Sequence, residues 1–244
     1  MRLISAAVLA LIASSAAGET ITAARFVEPT KIYQHGVLGD AVEWRALEIE
    51  TDGAETDRLS QNAVLRKHRY KITLPVGYVF EDIEPRLTDV TGDGTPEVIV
   101  VETAIARGAA LAIYTHEGRL TKTPHIGQTN RWLAPIGAAD LDGDGQIEIA
   151  YIDRPHLAKT LRIWRYTSGK FSEIASHPGL TNHKIGWDFI VGGISLCGDR
   201  HQIITASGDW SRIVATTFDG QTIMPKDIGP YTGPDSLSAA LSCF

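Results

Sequence analysis

Short stretches of alternating apolar and polar residues recur along the chain, and each ends in a tight turn that contains glycine. Alternation with a period of two is typical of a β-strand with one buried face, and Asp-Gly, Glu-Gly or Ser-Gly steps are typical of hairpin turns. The stretches occupy residues 48–53, 111–118, 161–169 and 213–220. The turn glycines Gly118, Gly169 and Gly220 follow one another at a spacing of 51 residues. Such a fixed spacing predicts a repeated structural unit.

An acidic segment repeats in phase with these hairpins. Residues 89–97 read DVTGDGTPE and residues 140–148 read DLDGDGQIE, again 51 residues apart, and an apolar strand follows each of them. An apolar strand of small residues precedes the second segment at 132–139 and has a counterpart at 187–194. One unit therefore consists of an inner strand, an acidic loop, a second strand, a third strand, a glycine turn and an outer strand.

Four strands in about fifty residues are typical of one blade of a β-propeller. Complete units occupy residues 79–125, 131–176 and 187–227, and three N-terminal strands at 20–28, 41–50 and 64–74 supply most of a fourth. Residues 235–242 resemble the missing inner strand. We predict an all-β fold, a small β-propeller of about four blades of four antiparallel strands, closed by pairing of the N- and C-terminal segments so that no sheet edge stays open. A β-sandwich with similar repeats is the rival fold.

The first 18 residues have the order of a secretory signal peptide. Arg2 is followed by an apolar run at 3–12, which is too short to span a bilayer, and by a small-residue cleavage region at 14–18. A retained membrane anchor is the alternative. Residues 19–244 then form a single β-propeller domain, periplasmic or secreted, with no integral membrane segment after cleavage. The net charge of −6 argues against nucleic acid or an anionic membrane surface as a partner.

The chain has two cysteines, Cys197 and Cys243. In an exported protein an even number of cysteines favours a disulfide, and two unpaired buried thiols are the alternative. Cys197 lies in residues 195–200, a third copy of the acidic segment that has lost its first and third carboxylates. We predict no metal there, but a disulfide that pins the closing strand.

Both acidic segments place oxygen-bearing residues at alternate positions around a glycine. Calcium takes six to eight hard oxygen ligands, whereas magnesium demands a stricter octahedron. The predicted ligands of the second segment are Asp140, Asp142, Asp144, Gln146 (through its carbonyl) and Glu148. Those of the first are Asp89, Thr91, Asp93, Thr95 and Glu97, with one carboxylate fewer and weaker binding. Two structural Ca²⁺ sites are thus predicted, and acidic turns that bind nothing are the alternative.

These two loops, each followed by an apolar strand at a fixed period, resemble FG-GAP repeats, also described as VCBS-like repeats. The family occurs in integrin α-subunit propellers and in many secreted bacterial proteins. The resemblance implies a β-propeller with structural calcium and a frequent role in protein or carbohydrate recognition. Integrin-type propellers have seven blades, whereas this chain has room for about four, so that number is not carried over.

Loops that enter the inner strands commonly form the binding face of a propeller. Here they contain a candidate site for an anionic or sugar-like ligand, formed by Arg131, Trp132, His183, Lys184, Trp187 and Asp188. The alternative is that the tryptophans pack between blades and the charged groups are solvated. No catalytic motif is recognised. We therefore predict a calcium-binding interaction module of the cell envelope, whose partner is another envelope protein or a carbohydrate-like ligand.

A small envelope enzyme is the competing interpretation. It would be a hydrolase or lyase that acts on a carbohydrate-like substrate in the central funnel. Asp82, Glu84 and Asp188 are the carboxylates available for glycoside chemistry.

Overall fold

The computed structural model describes residues 19–56 and 63–243, so the predicted signal peptide at 1–18 lies outside the described residues. The described chain is built almost wholly of antiparallel strands, which confirms the all-β prediction. None of its helices is long and apolar enough to cross a bilayer. The elements are β1 (Thr20–Thr30), β2 (Glu43–Thr56), β3 (Ala63–Thr73), β4 (Tyr78–Phe80), β5 (Arg86–Thr88), β6 (Glu97–Ala104), β7 (Gly108–Thr115), β8 (Gly118–Lys122), β9 (Leu133–Ala139), β10 (Glu148–Asp153), β11 (Thr160–Thr167), β12 (Lys170–Pro178), β13 (Leu180–Thr181), β14 (Gly193–Cys197), β15 (Arg200–Ser207), β16 (Arg212–Phe218), β17 (Ile223–Pro230) and α1 (Pro234–Leu241).

The first sheet has eight strands and joins the N-terminal segment to the first repeat unit. Strand β2 pairs with both β1 and β3, and a single pairing of Trp44 with Phe80 connects β2 to β4. Strands β4 and β5 both pair with β6, which continues through β7 to β8. The N-terminal strands therefore belong to the sheet of the first unit and do not form a separate fourth blade.

The second and third units each form a sheet of their own. The second sheet has the order β9-β10-β11-β12. In the third, β13 and β14 both pair with β15, which continues through β16 to β17. In every unit the third strand shifts its register against the outer strand, between residues 113 and 114, 163 and 164, and 213 and 214. Such β-bulges increase the local twist of a strand pair.

Successive residues of the second strand in each unit contribute to different hydrophobic cores. In β6, Val98 and Val100 pack against β1 and β2, whereas Ile99 and Val101 pack against the second sheet. In β10, Ile149 packs towards the first sheet and Ala150 towards the third. Because side chains alternate across a strand, this near-continuous apolar sequence buries both faces of the strand. The sheets are therefore stacked face to face, as in neighbouring propeller blades.

The C-terminal segment is a helix and not the inner strand that the sequence predicted. Residues 235–242 were expected to form an inner strand, but Pro234–Leu241 form helix α1. Its buried residues Leu237 and Ala240 cover the outer face of the third sheet, which would otherwise expose residues such as Ile204 and Ile213. Closure by pairing of the N- and C-terminal segments as strands is therefore wrong, because the last apolar face is covered by a helix.

Candidate metal loops and the entry face

The first acidic loop, residues 89–96, is wrapped around the carboxylate of Asp89. One oxygen of Asp89 accepts hydrogen bonds from the amides of Gly92 (2.7 Å) and Asp93 (3.2 Å), and the other accepts one from Gly94 (2.9 Å). Glu97 follows the loop and closes it, because its carboxylate accepts a hydrogen bond from the amide of Val90 at 2.9 Å. The glycines permit this path because Gly92 and Gly94 both adopt positive φ angles, of 75° and 89°.

The second acidic loop, residues 140–147, repeats this geometry. Asp140 accepts from the amides of Gly143 (2.7 Å) and Gly145 (2.9 Å), and Glu148 accepts from Leu141 (2.8 Å). Oxygen atoms of Asp140, Asp142 and Glu148 lie within 4.8 Å of one another, so these three residues could hold a metal ion. Their donor set consists only of carboxylate oxygens, which suits a hard cation such as calcium.

An arginine from the neighbouring strand reaches into the second loop. Arg165 on β11 stands opposite Glu148 on β10 in the sheet register. Its guanidinium donates to Asp142 at 2.7 Å, to Asp144 at 2.9 Å and also to Glu148. The residue 51 positions earlier is Tyr114, whose hydroxyl donates to the buried Glu102 at 2.6 Å instead. Only the second of the two acidic loops therefore has this arginine as a counter-cation.

Burial acts on the last carboxylate of each loop. The pKa values of Glu97 and Glu148 are raised above the usual range, chiefly because burial disfavours the charged form. Amide donors oppose this effect in both loops, and Arg165 opposes it at Glu148. A bound cation would favour the charged form of both groups.

The acidic loops also connect neighbouring sheets. Val90, the second residue of the first loop, is buried with Ile149 and Tyr151 of the second sheet. Leu141 occupies the same place in the second loop and is buried against Ile203 and Phe218 of the third sheet. Burying a side chain of this size contributes about 1.5–3 kcal/mol. Stiffening either loop would therefore stabilise the contact between two sheets.

A disulfide occupies the corresponding place in the third unit. Cys197 ends β14, where the other units enter their acidic loops, and it is bonded to Cys243 with a Cα–Cα distance of 5.6 Å. The predicted pairing is confirmed, but the segment that precedes Cys243 is helix α1 and not a strand. The bond joins the inner edge of the last sheet to the residues that directly follow the helix covering it.

Loop 31–42, between β1 and β2, crosses the opposite end of the sheets. We call this end, formed by loops 31–42, 75–85, 126–132 and 182–192, the entry face, because the chain enters the inner strands there. The hydroxyl of Tyr33 accepts from the amide of Asn130 at 3.0 Å, and the carbonyl of Val37 accepts from Gly186 at 3.1 Å. Loop 31–42 thus bridges the entrances of the second and third sheets.

The same loop closes a buried polar network. His35 Nδ1 lies 2.5 Å from Glu81 Oε1, and the other oxygen of Glu81 accepts from Thr103 at 2.6 Å. The indole of Trp132 donates to the carbonyl of Glu81 at 2.8 Å. His156 Nε2 lies 2.9 Å from His183 Nδ1. Burial lowers the pKa of both imidazoles, and it lowers that of His156 to about 4. Both imidazoles are therefore uncharged at neutral pH.

The cavity beside this network is small. It is lined in part by His35, Arg131, Trp132 and His156, and its volume is about 30 Å³. This is room for a water molecule but not for a sugar ring. Side chains therefore fill the part of the entry face where His35, Trp132 and His156 meet.

The predicted ligand-binding residues separate into two groups. Trp132 and His183 are buried, with their rings 4.9 Å apart, and they support the entry face from inside. Arg131, Lys184 and Trp187 are partly exposed, and Asp188 is exposed. Lys184 lies against Trp187, at 5.4 Å from the ring centroid. Four of the six residues are thus accessible to a partner.

Sequence reasoning missed several residues of these sites. Arg165, His35 and Glu81 were not singled out, although the pairing of Arg165 with Glu148 follows from a hairpin register once the strands are known. Asp82, considered above as a possible catalytic carboxylate, is fully engaged by Arg86 and by the amides of Ile83 and Val101. Loop 31–42 carries no sequence motif that would place it at the centre of the entry face.

Comparison with protein families supports the repeat interpretation. Residues 89–151 match the family described as FG-GAP-like repeat. The match begins at the first acidic loop and ends in the strand that follows the second, so it contains both candidate metal loops. A search of curated proteins found no significant match to the chain.

Proposed function

Since residues 89–151 match the FG-GAP-like repeat family, we propose that this chain is an exported interaction module of the cell envelope, stiffened by calcium, that binds its partner through the entry face. The filled part of that face carries the proposal. His35 and Trp132 both bond to Glu81 there, and the cavity beside them, of about 30 Å³, is too small for a substrate. A partner would therefore bind on the surface of the face.

Calcium has a structural role in this proposal. Asp140, Asp142 and Glu148 would hold one ion, and Asp89, Asp93 and Glu97 are the carboxylates available for a second. Both loops lie at the end of the sheets opposite the entry face, and their apolar residues Val90 and Leu141 pack into the next sheet. When bound, calcium would supply positive charge that fixes the loop and hence the spacing of the sheets.

An oxidising compartment is consistent with the covalent structure. The disulfide between Cys197 and Cys243 is of the kind that persists outside the cytoplasm. The N-terminal sequence independently predicts export. These two observations support a periplasmic or secreted location.

The chemistry of the entry face favours an anionic or carbohydrate-like surface as the partner. Arg131 has a guanidinium that donates only to the neighbouring carbonyl of Asn130 within the described residues, which leaves its charge available. Ile185 is 71% exposed and Phe189 is 40% exposed, so the same face also offers apolar contact area. A mixed patch of this kind is typical of interfaces that combine an arginine with aromatic anchors.

Binding to isolated envelopes would test the proposal. The chain from residue 19 onward would be labelled and added to envelopes of the producing cells, with and without protease treatment. We expect Arg131→Glu to weaken binding about tenfold, since it reverses an accessible charge on the entry face. The matched control is Lys170→Glu, at the exposed first residue of β12 at the opposite end of the sheets.

The outcomes separate the two classes of partner. Loss of binding after protease treatment would identify a protein partner, and its persistence would identify a carbohydrate-like one. Equal effects of Arg131→Glu and Lys170→Glu would contradict the assignment of the entry face, and no binding to either preparation would contradict an envelope partner.

A further inference from the structure

A cluster of aromatic rings on the entry face surrounds the ammonium group of Lys184. The Nζ atom lies 4.6 Å from the ring centroid of Trp210, 5.4 Å from that of Trp187 and 5.6 Å from that of Tyr231. We call these three rings the aromatic cage. A cation within about 6 Å of an aromatic face is attracted by the ring quadrupole, and tryptophan is the strongest of such partners.

Contacts with one another and with the core hold the three rings of the cage in place. Its rings contact one another, Trp187 with Trp210 at 5.4 Å and Trp210 with Tyr231 at 5.1 Å. All three also pack against the core between the third sheet and helix α1. The cage therefore does not depend on Lys184 alone to bring its rings together, and its shape is preorganised for a cation.

The turn that carries Trp210 is strained, and a local network maintains it. Trp210 has a φ angle of 62°, which is unfavourable for a bulky side chain. The carboxylate of Asp209 accepts hydrogen bonds from the hydroxyl of Ser207 at 2.6 Å and from the amide of Ser211 at 3.1 Å. Strain of this kind persists only where the surroundings impose it, and it is concentrated at functional sites.

Lys184 has no competing partner in the described part of the chain. Its ammonium group makes neither a hydrogen bond nor an ion pair there, and its contacts are with the three rings. A lysine side chain has four flexible carbon–carbon bonds, so its ammonium group can leave the cage without any movement of the backbone. The hydroxyl of Tyr231 is likewise buried without a hydrogen-bond partner.

We propose that the aromatic cage is a binding site for an organic ammonium ligand, quaternary or methylated, which displaces the ammonium group of Lys184. The rings form walls and not a flat platform, because Trp187 and Trp210 are inclined at 69°, and Trp210 and Tyr231 at 59°. A sugar stacks on one flat face, whereas a compact cation is attracted by several faces at once. This inference rests on the proposed binding role of the entry face but not on an envelope partner.

Titration with choline chloride would test the cage directly. The readout is intrinsic tryptophan fluorescence, because Trp187 and Trp210 form two of its walls. Sodium chloride at equal concentration controls for ionic strength, and 3,3-dimethylbutanol, which has the shape of choline without the charge, controls for apolar binding. The variants are Lys184→Ala, which empties the cage, and Lys226→Ala, which removes an exposed lysine of β17.

We expect choline to bind the wild-type chain weakly and Lys184→Ala about tenfold more tightly, if Lys184 occupies the cage nine-tenths of the time. Lys226→Ala should match the wild type. Trp210→Leu, added to Lys184→Ala, should abolish binding, and Trp210→Tyr should retain it in part. Circular dichroism would establish that each variant is folded.

Two results would overturn the inference. One is the absence of any choline-dependent signal in folded Lys184→Ala, and the other is equal binding of choline and 3,3-dimethylbutanol. Neither depends on the envelope assay. Failure to bind envelopes would therefore leave a choline-binding cage intact, and an empty cage would leave Arg131-dependent envelope binding intact.

Discussion

Glu43 is a buried carboxyl group without a hydrogen-bond partner among the described residues. Its side chain lies near Glu81, Asp40 and Asp82, and the whole residue is 2% exposed. Burial raises the pKa of Glu43 to about 9, and repulsion from the three neighbouring acids adds to the effect. Glu43 therefore carries a proton at neutral pH in the folded protein, whereas it would be ionised in the unfolded chain.

This difference predicts that stability falls as the pH rises. Between about pH 4.5 and pH 9 the folded state binds more protons at Glu43 than the unfolded state, so the free energy of unfolding decreases with increasing pH. Glu43→Gln, which mimics the protonated form, should remove part of this slope. We expect it to raise the melting temperature by about 5 °C at pH 8, given a change on the order of 2 kcal/mol.

Thermal unfolding at pH 5 and pH 8 would measure the effect of Glu43→Gln. At pH 5 the variant and the wild type should differ little, since the wild-type group is then protonated in the folded protein and partly protonated in the unfolded chain. A matched substitution is Glu84→Gln, at an exposed carboxylate of loop 75–85, which also contains Glu81 and Asp82. If Glu43→Gln raised the melting temperature equally at pH 5 and pH 8, the raised pKa of Glu43 would not be the cause.

Residue identity was enough to predict one acidic cluster that could hold a metal ion, because its groups are local in sequence. Asp140, Asp142 and Glu148 lie within nine residues, and the glycine between them sets the turn. The buried network could not be predicted in the same way. His35 and Glu81 are 46 residues apart, and nothing in the sequence indicates that a loop between two N-terminal strands crosses to the first repeat unit.

At the level of elements, the two acidic loops differ in their dependence on a cation. Counting carboxylates ranked the second loop as the stronger calcium site, but Arg165 already contacts Asp142, Asp144 and Glu148. The guanidinium neutralises part of the charge that calcium would neutralise. It therefore stabilises the loop in the absence of a cation and would reduce the gain in stability from calcium.

Substitution of Arg165 should uncover this competition. In Arg165→Met with excess chelator, we expect the melting temperature to fall by about 5 °C, because partly buried carboxylates lose their counter-cation at a cost on the order of 2 kcal/mol. Millimolar calcium should restore most of the loss, whereas magnesium should restore little. Calcium should raise the melting temperature of Arg165→Met by more than it raises that of the wild type.

The matched control for Arg165→Met is Arg212→Met, which removes an exposed ion pair with Asp227 far from either acidic loop. It should change the melting temperature little, with or without calcium, since exposed pairs contribute at most about 1 kcal/mol. A calcium response equal to that of the wild type in Arg165→Met would show that the arginine does not compete with the ion.

Helix α1 is the element for which the sequence was misread. Ser236, Ser238 and Ser242 lie an even number of positions apart, as on one face of a strand, but Leu237, Ala240 and Leu241 have the spacing of one helical face. Pro234 stands at the start and Asp235 in the first turn, both of which are favoured at a helix N-terminus. Periodicity alone did not decide between the two because the segment has only eight residues.

The disulfide should contribute much of the stability of this end of the molecule. Cys243→Ser should lower the melting temperature under oxidising conditions, since closing a loop between residues 46 positions apart contributes up to about 4 kcal/mol in the chain-entropy model. Cys197→Ser is the matched variant and should cause the same loss. With a reducing agent, both variants and the wild type should unfold at similar temperatures, and a difference that persists would assign the loss to packing of α1.

At the scale of the whole molecule, the period of 51 residues predicted most of the sheets. Strand hydrogen bonds within a unit are local, so alternation and turn chemistry were enough to place β6 to β8, β9 to β12 and β14 to β17. Closure was not predictable in this way. It depends on what covers the two outermost apolar faces, and here the N-terminal strands cover one while α1 covers the other.

Loop 31–42 has a consequence for how such a chain can grow. Proteins made of repeated units commonly lengthen by duplication of a unit, since each unit contacts only its neighbours. In this chain, Tyr33 and Val37 reach the entrances of the second and third sheets from a segment that belongs to the first. An extra copy inserted between these sheets would move the two contact points apart while the loop kept its length. The loop therefore limits the number of repeat units, and duplication of a unit would also require a longer loop.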